Sequence, residues 1–266
     1  MKCFFCKSNR IRKSFKTKTE GVFYNVCNNC GCHYQKTIHK IDYDKNYWVN
    51  AIDPDGKKRC FVNEREDKIK NWYGQSIKFV NNFKNIKVLD LGCGLGFFLS
   101  ALNSSIKKYG LEYSSFAQRY IKNSFPEIYF LKSKKIEDIK KFNTKFDVIM
   151  CYHVLEHLLE PRDLILNIKK NLKKNGYLII GTPLIDTLLS NYFGPNYRLY
   201  GKSHPILYNL KSLKQLLIND FEIIKIEKPF IGTKYNSWSN FLKLFNNKKI
   251  SPPYYGSIVT LYARRL

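Results

Sequence analysis

The chain has 266 residues, with 46 Lys and Arg against 21 Asp and Glu, a formal charge of +25. Its 44% hydrophobic and 15% aromatic content excludes a mainly disordered chain, and the length suits one α/β domain with a small appendage. No apolar run approaches the ~18–20 residues of a membrane span, and the opening MKCFFCKSNR has no apolar signal core, so a soluble, cytoplasmic protein is expected.

Five of the eight cysteines fall within the first 32 residues. Cys3-x-x-Cys6 and Cys27-x-x-Cys30 are two knuckles, each a tight turn that can aim two thiolates at one tetrahedral ion. Four such ligands close a structural site. The spacing therefore predicts a zinc-ribbon-like module over residues 1–40, with Zn2+ at Cys3, Cys6, Cys27 and Cys30. Residues 7–26 would be strands ordered mainly by the metal. Cys32 and His33 stand close enough to compete for the fourth position. Disulfides are the alternative, and a cytosolic chain argues against them. Cys60, Cys93 and Cys151 stand alone, as packing cysteines do.

Residues 41–65 read as a connector with a turn at Asp53-Pro54-Asp55-Gly56. Ile69, Trp72, Tyr73, Ile77 and Val80 recur at helical spacing, which predicts a helix over 66–84. From residue 86 short apolar runs alternate with helical stretches. Val88–Leu91, Tyr109–Glu112, Ile128–Leu131, Phe146–Met150 and Tyr177–Ile180 are predicted strands, the last entered through a tight turn at Asn175-Gly176. That alternation indicates an α/β fold with a mostly parallel sheet. Phe221–Glu227 and Ser257–Ala263 alternate without a strong crossover helix between them, so they are expected to form a terminal antiparallel pair.

After the first of these strands comes Asp90-Leu91-Gly92-Cys93-Gly94-Leu95-Gly96, leading into a helix. Alternate glycines let the backbone turn sharply and approach a ligand, and the helix N-terminus faces the same place. A dinucleotide fingerprint would be G-x-G-x-x-G. Here the spacing is D-x-G-x-G-x-G, and the acid at the strand end suits a cationic ligand rather than a pyrophosphate.

The stretch resembles motif I of the class I S-adenosylmethionine-dependent methyltransferases, which implies a Rossmann-like sheet and S-adenosylmethionine as cofactor. The resemblance places Asp90, Gly92, Cys93, Gly94 and Gly96 at the cofactor. It also makes Glu112, 22 residues beyond Asp90 and followed by Tyr113, the acid that holds the ribose. The adenine contact, expected near Ser133–Asp138, stays open. Under this resemblance residues 41–85 form a connector and helix over the cofactor site, and 86–266 the transfer domain.

The fourth strand runs into His153-Val154-Leu155-Glu156-His157. Alone, His-x-x-Glu-His matches an inverted zinc-protease motif. A peptidase would need that motif on a helix with a third ligand elsewhere, whereas here it follows a buried strand in a cofactor-binding sheet. The segment is similar to the V-L-E-H stretch of small-molecule methyltransferases related to ubiquinone O-methyltransferases and sugar methyltransferases, beside the transferable methyl. Glu156 and His157 are thereby candidates for removing or orienting a substrate proton. Gly181-Thr182-Pro183 resembles the family's strand-end motif lining the pocket. His204-Pro205-Ile206-Leu207-Tyr208 resembles its histidine loop on the substrate side, which makes His204 a second base candidate. Tyr43-Asp44-Lys45-Asn46-Tyr47-Trp48 resembles an aromatic lead-in that folds over the cofactor, although packing between modules explains it equally well.

The subgroup with cysteine knuckles implies a small-molecule acceptor, a sugar or nucleotide sugar of surface-glycan or secondary-metabolite pathways. Loops 184–204 and 229–254 are expected to supply most of the pocket walls. Two other functions stay open: a zinc-ribbon RNA methyltransferase, and a non-catalytic S-adenosylmethionine-binding interaction protein. The charge of +25 permits nucleic acid, yet only nine of the basic residues are Arg, the lysines are scattered among Asn and Ile, and no N-P-P-Y base-holding motif follows the fourth strand. Nucleic acid is therefore not the favoured partner.

Overall fold

Residues 7–26 do form strands: β1 (Ile11–Lys16) and β2 (Phe23–Cys27) pair antiparallel, and β3 (His33–Gln35) adds to β2. The computed structural model describes residues 2–54, 56–133, 135–228, 237–253 and 257–266. Asp55 of the predicted turn, Lys134 of the adenine region, and residues 229–236 and 254 of the second expected pocket loop lie outside them. A two-residue ladder, β4 (Ala51–Ile52) with β5 (Lys58–Arg59), closes the connector around that turn.

All five apolar runs from residue 86 onward are strands, because β-branched and aromatic side chains fill both faces of a buried sheet. They are β6 (Lys87–Leu91), β7 (Lys107–Glu112), β8 (Tyr129–Lys132), β9 (Phe146–Tyr152) and β10 (Leu172–Pro183). After β11 (Ile206–Leu207) come β12 (Phe221–Glu227) and β13 (Ile258–Arg265). The main sheet has the order β12-β13-β10-β9-β6-β7-β8. β10, β9, β6, β7 and β8 are mutually parallel, while β13 runs antiparallel to both β10 and β12, as the alternating pattern at that end implied. Helices such as Pro161–Asn171 lay a stripe of Leu164, Ile165 and Ile168 on the sheet, with proline starting the first turn. Among the described residues, no helix is long and apolar enough to cross a membrane.

Two local expectations change. The helix over 66–84 is broken into Arg65–Asp67, a π-helical turn Lys68–Trp72, and Gly74–Asn81. The Tyr73 N–H reaches five residues back to the Lys68 carbonyl at 2.9 Å, and Gly74, a poor helix former, sits at the joint. Asn175-Gly176 is a bulge inside β10 rather than a turn before it. Asn175 takes φ +61 and the register with β9 shifts between Leu172 and Tyr177, a conformation Asn tolerates through local hydrogen bonding. Leu155–His157 forms a single 3-10 turn.

The cysteine module does not stand apart. β11 pairs antiparallel with β3, Ile206 opposite Tyr34, giving a second sheet β1-β2-β3-β11. Cys3, Phe5, Cys27 and Tyr34 pack in the same apolar cluster as Leu184, Ile206 and Tyr208. The carboxyl ends of the parallel strands, where ligands bind in such sheets, face this shared region.

Close packing at the β9–β10 seam is testable at Gly181, where an added Cβ would lie 2.4 Å from the Tyr152 ring. Gly181→Ala should lower the free energy of unfolding by about 1–3 kcal/mol, read from the midpoint of a denaturant titration.

Candidate active site

The loop after β6 carries three glycines of positive φ, Gly92, Gly94 and Gly96. At Gly94 a Cβ would lie 3.1 Å from the Trp48 indole, and at Gly96 one would press on Ile121 at 3.2 Å. Gly94 therefore lets the Trp48 indole of the aromatic lead-in close on the loop, whereas Gly96 permits helix-to-sheet packing. Glu112 ends β7 almost fully buried. Its carboxylate accepts the backbone N–H groups of Gly94, Tyr113 and Ser114, each at 2.8 Å. Burial pushes its pKa up, and these three bonds work against the rise. With about four acceptor sites on a carboxylate, the group is pinned and keeps one side for a ligand hydroxyl. Asp90 lies behind it, raised well above the usual carboxylate range by burial and by the Glu112 charge.

These strand ends open onto a cavity of about 810 Å³, within the range of cofactor and ligand pockets. Gly92, Cys93, Gly94, Glu112 and Tyr113 line it, while Asp90 and Gly96 do not reach its wall. Across the opening lies the lead-in helix Lys45–Val49, capped by Asp44. Tyr43, Tyr47 and Trp48 all line the cavity. Ser114 fastens this lid: its hydroxyl donates to the Tyr43 carbonyl at 2.6 Å and accepts from Trp48 Nε1 at 2.8 Å. Ser114 was missed in the sequence, though its place as N-cap of the helix Ser115–Ser124 was legible there. Lys135, Ile136 and Asp138, from the region left open for adenine, also face the cavity.

The second cluster forms where β9 ends. His153 turns the chain with φ +53, an uncommon conformation for this residue type that marks functional turns. Its Nδ1 meets Glu156 Oε1 at 2.8 Å, and the Thr182 hydroxyl donates to Oε2 at 2.9 Å. Glu156 has no solvent exposure. Burial alone would raise its pKa, but the His153 hydrogen bond and the imidazole charges outweigh it and hold the group at about 2.

Of the three residues proposed for proton handling, only His157 lines the cavity. His204 lies behind it, ring centres 5.0 Å apart with the planes tilted by 58°, and Glu156 lies beneath. Each imidazole donates Nδ1–H to a backbone carbonyl, His157 to Ser203 at 2.6 Å and His204 to Leu199 at 2.7 Å, which leaves Nε2 as the nitrogen with a lone pair. Burial lowers both pKa values, that of His157 to about 4. Ligand atoms of Glu156, His157 and His204 lie within 4.8 Å of one another, a composition that suits a cation, but His153 and Thr182 already engage both Glu156 oxygens. Thr182 serves this carboxylate and does not line the cavity.

In the cysteine module the Sγ atoms of Cys3, Cys6, Cys27 and Cys30 lie within 4.8 Å of one another. Cys3 and Cys30 are 3.6 Å apart, Cys6 and Cys27 3.5 Å, close to the ~3.8 Å edge of a sulfur tetrahedron with ~2.3 Å metal bonds. Of the rival ligands, Cys32 is buried outside this group, and the His33 imidazole turns away to the Tyr200 hydroxyl at 2.7 Å.

Residues 61–225 match the family model described as a methyltransferase domain. The chain belongs to that family. The fold is that of the Rossmann-like methyltransferases: a SAM dependent methyltransferase from Archaeoglobus fulgidus superposes with TM-score 0.55 at 20% identity, covering 77% of this chain and 98% of the other. The ubiquinone biosynthesis O-methyltransferase of Rickettsia canadensis is 33% identical over 161 residues, 56% of this chain and 63% of that protein. A tRNA U34 carboxymethyltransferase of Campylobacter jejuni is 28% identical over 171 residues, 56% of this chain and 55% of that protein. The matched part of this methyltransferase domain thus spans less than two thirds of either relative.

The lid predicts its own test. Ser114→Ala leaves the Trp48 N–H and the Tyr43 carbonyl without their partner and should cost about 1–3 kcal/mol. Thermal unfolding checks the loss, and trypsin should cut after the exposed Lys45 several-fold faster than in the parent chain, by an order-of-magnitude expectation for local opening.

Proposed function

We propose that this chain transfers the methyl group of S-adenosylmethionine to a hydroxyl of a small molecule, a sugar or nucleotide sugar. The observation that carries the reading is the His157 imidazole on the wall of the cavity that Glu112 and the glycine loop also line. When bound, the cofactor supplies an already activated methyl on a sulfonium. What remains for the protein is alignment and proton handling. Glu112, pinned by backbone donors, receives the ribose hydroxyls, and its carboxylate on the cavity wall favours the cationic donor. The lid of Tyr43, Tyr47 and Trp48 excludes water. His157 Nε2 takes the acceptor's proton, with Nδ1–H anchored on Ser203 to fix its tautomer. Glu156 and His204 act through it as positioning residues. Lys68 and Lys135 on the cavity wall suit an acceptor that carries phosphate.

We assign Zn2+ to Cys3, Cys6, Cys27 and Cys30 as a structural ion, because the four sulfurs already approach a tetrahedron. Residues 1–40 are then the metal module, 41–85 the connector and lid, and 86–266 the transfer domain. Free thiols at such a site suit a reducing compartment such as the cytoplasm. An RNA acceptor is the second reading, favoured by the charge of +25 and by the relative named for tRNA; a steep salt dependence of RNA binding would support it.

Four measurements test these assignments. Glu112→Ala should weaken S-adenosylhomocysteine binding by about tenfold or more in calorimetry. Once screening of nucleotide-sugar and metabolite pools finds an acceptor that gains one methyl, His157→Gln should lower kcat by about 10²–10⁴-fold with cofactor affinity kept. Because the His157 imidazole of the ligand-free protein is neutral until pH falls to about 4, the acid limb of kcat/KM that it sets should lie near pH 4 instead of near 6.5; an unchanged kcat in the variant rejects the base. Metal analysis should find one zinc per chain, lost in Cys27→Ser.

A further inference from the structure

The two imidazoles beside the cavity are not oriented by their own strands. Both Nδ1–H groups are fixed by carbonyls of one loop, Leu199 and Ser203. Within the transfer domain that loop packs Leu199 and Tyr200 against Ile185, Phe193, Tyr197 and Leu207. Several of its backbone carbonyls are met instead from the cysteine module. Gln35 is fully buried, and its amide donates to the carbonyls of Gly201 at 2.7 Å and Lys202 at 3.0 Å. The Tyr24 hydroxyl, also buried, lies 2.9 Å from the Gly201 carbonyl and 2.6 Å from that of His204, sharing its one hydrogen between them.

Further contacts continue in both directions along the chain. Tyr200 packs its ring on His33 at an interplanar angle of 9° and bonds His33 Nδ1. Gln35 N–H meets the Pro205 carbonyl at 2.9 Å, and β3 then pairs with β11 directly after the loop. The Asn209 side chain donates to the Cys30 carbonyl at 2.8 Å, tying the second knuckle to the same segment. Hydrogen bonds from the strands and second knuckle of the module, together with the backbone itself, thus connect it to the segment whose carbonyls meet the imidazoles.

We propose that the cysteine module is the frame of the acceptor-side loop, with Tyr24 and Gln35 as positioning residues that hold residues 199–204 so that their carbonyls fix the His157 and His204 tautomers. A buried amide NH2 and a buried phenol O–H each need acceptors; the loop carbonyls supply them to Gln35 Nε2 and Tyr24, while Gln35 Oε1 finds no partner among the described residues, and the imidazoles inherit the loop position these donors set. The module would thereby govern the acceptor side of the cavity while the Gly94–Glu112 side keeps its own support. The functional consequence rests on the acceptor-side reading above. The mechanical claim does not.

The chain has five histidines, so ¹⁵N-histidine labelling gives a spectrum in which each tautomer can be read. In the parent protein with zinc, His157 and His204 should show a fixed Nδ1-protonated tautomer. In Gln35→Leu, and in the milder Tyr24→Phe should the first variant not fold, both should move to averaged tautomer shifts. S-adenosylhomocysteine affinity should stay within about twofold of the parent by calorimetry. Removing zinc with a chelator should produce the same change in the two histidines. Unchanged histidine signals in a folded Tyr24→Phe variant and after chelation would overturn the proposal, and so would a parallel collapse of S-adenosylhomocysteine binding, which marks a general defect. If the tautomers move as expected but His157→Gln still transfers methyl at the parent rate, the frame stands and the acceptor-side reading falls.

Discussion

An ionised carboxylate with no solvent exposure has to be satisfied where it lies, and Glu156 sets the geometry of everything around it. One oxygen is met by His153, which reaches it only because the chain leaves β9 with a positive φ, and the other by Thr182 at the end of β10. Two adjacent parallel strands are thus tied together at their carboxyl ends by a single side chain. The short 3-10 turn that follows has no freedom to place His157 anywhere but beside that carboxylate. Glu112 repeats the device at the end of β7, where three backbone N–H groups hold it against the glycine loop.

The two pinned acids divide the cavity by chemistry. Around Glu112 the groups are acids and glycines, a surface for a cationic donor. Around Glu156 they are imidazoles, and burial keeps those of His157 and His204 neutral and able to take a proton. Between them the aromatic lead-in closes the opening, held by a serine hydroxyl that also caps a helix. Each part uses a local device, a cap or a strand-end carboxylate, to fix a side chain that belongs to a distant segment of the chain.

Much of this was legible in the sequence because the signals are local. The alternation of apolar runs announced the parallel sheet, the glycine spacing located the ligand loop, and the two Cys-x-x-Cys turns foretold a gathered set of four sulfurs. What was not legible depends on partners far along the chain. Nothing in His33-Tyr34-Gln35 reveals that Ile206 and Leu207 complete its sheet, since a two-residue strand has no periodicity. Likewise Asp90 and Gly96 fit the glycine motif as well as their neighbours do. Only packing separates the residues at the cavity wall from one behind Glu112 and one wedged against Ile121. The broken helix at Tyr73 shows the same limit: its apolar spacing is helical, but a glycine and the aromatic contacts of Tyr73 with Phe98 and Tyr152 set a wider turn.

The placement of β13 has an effect on how the chain assembles. β12, residues 221–227, touches the main sheet only through β13, residues 258–265. The earlier strand therefore has no seat until the later one is in place, and the edge of β10 stays open in the meantime. Unpaired strand edges of this kind invite wrong partners, and contacts so far apart in sequence form slowly. Assembly of this end of the sheet runs against the order of the chain, and the exposed rim of β10 is where crowding during folding would do the most harm.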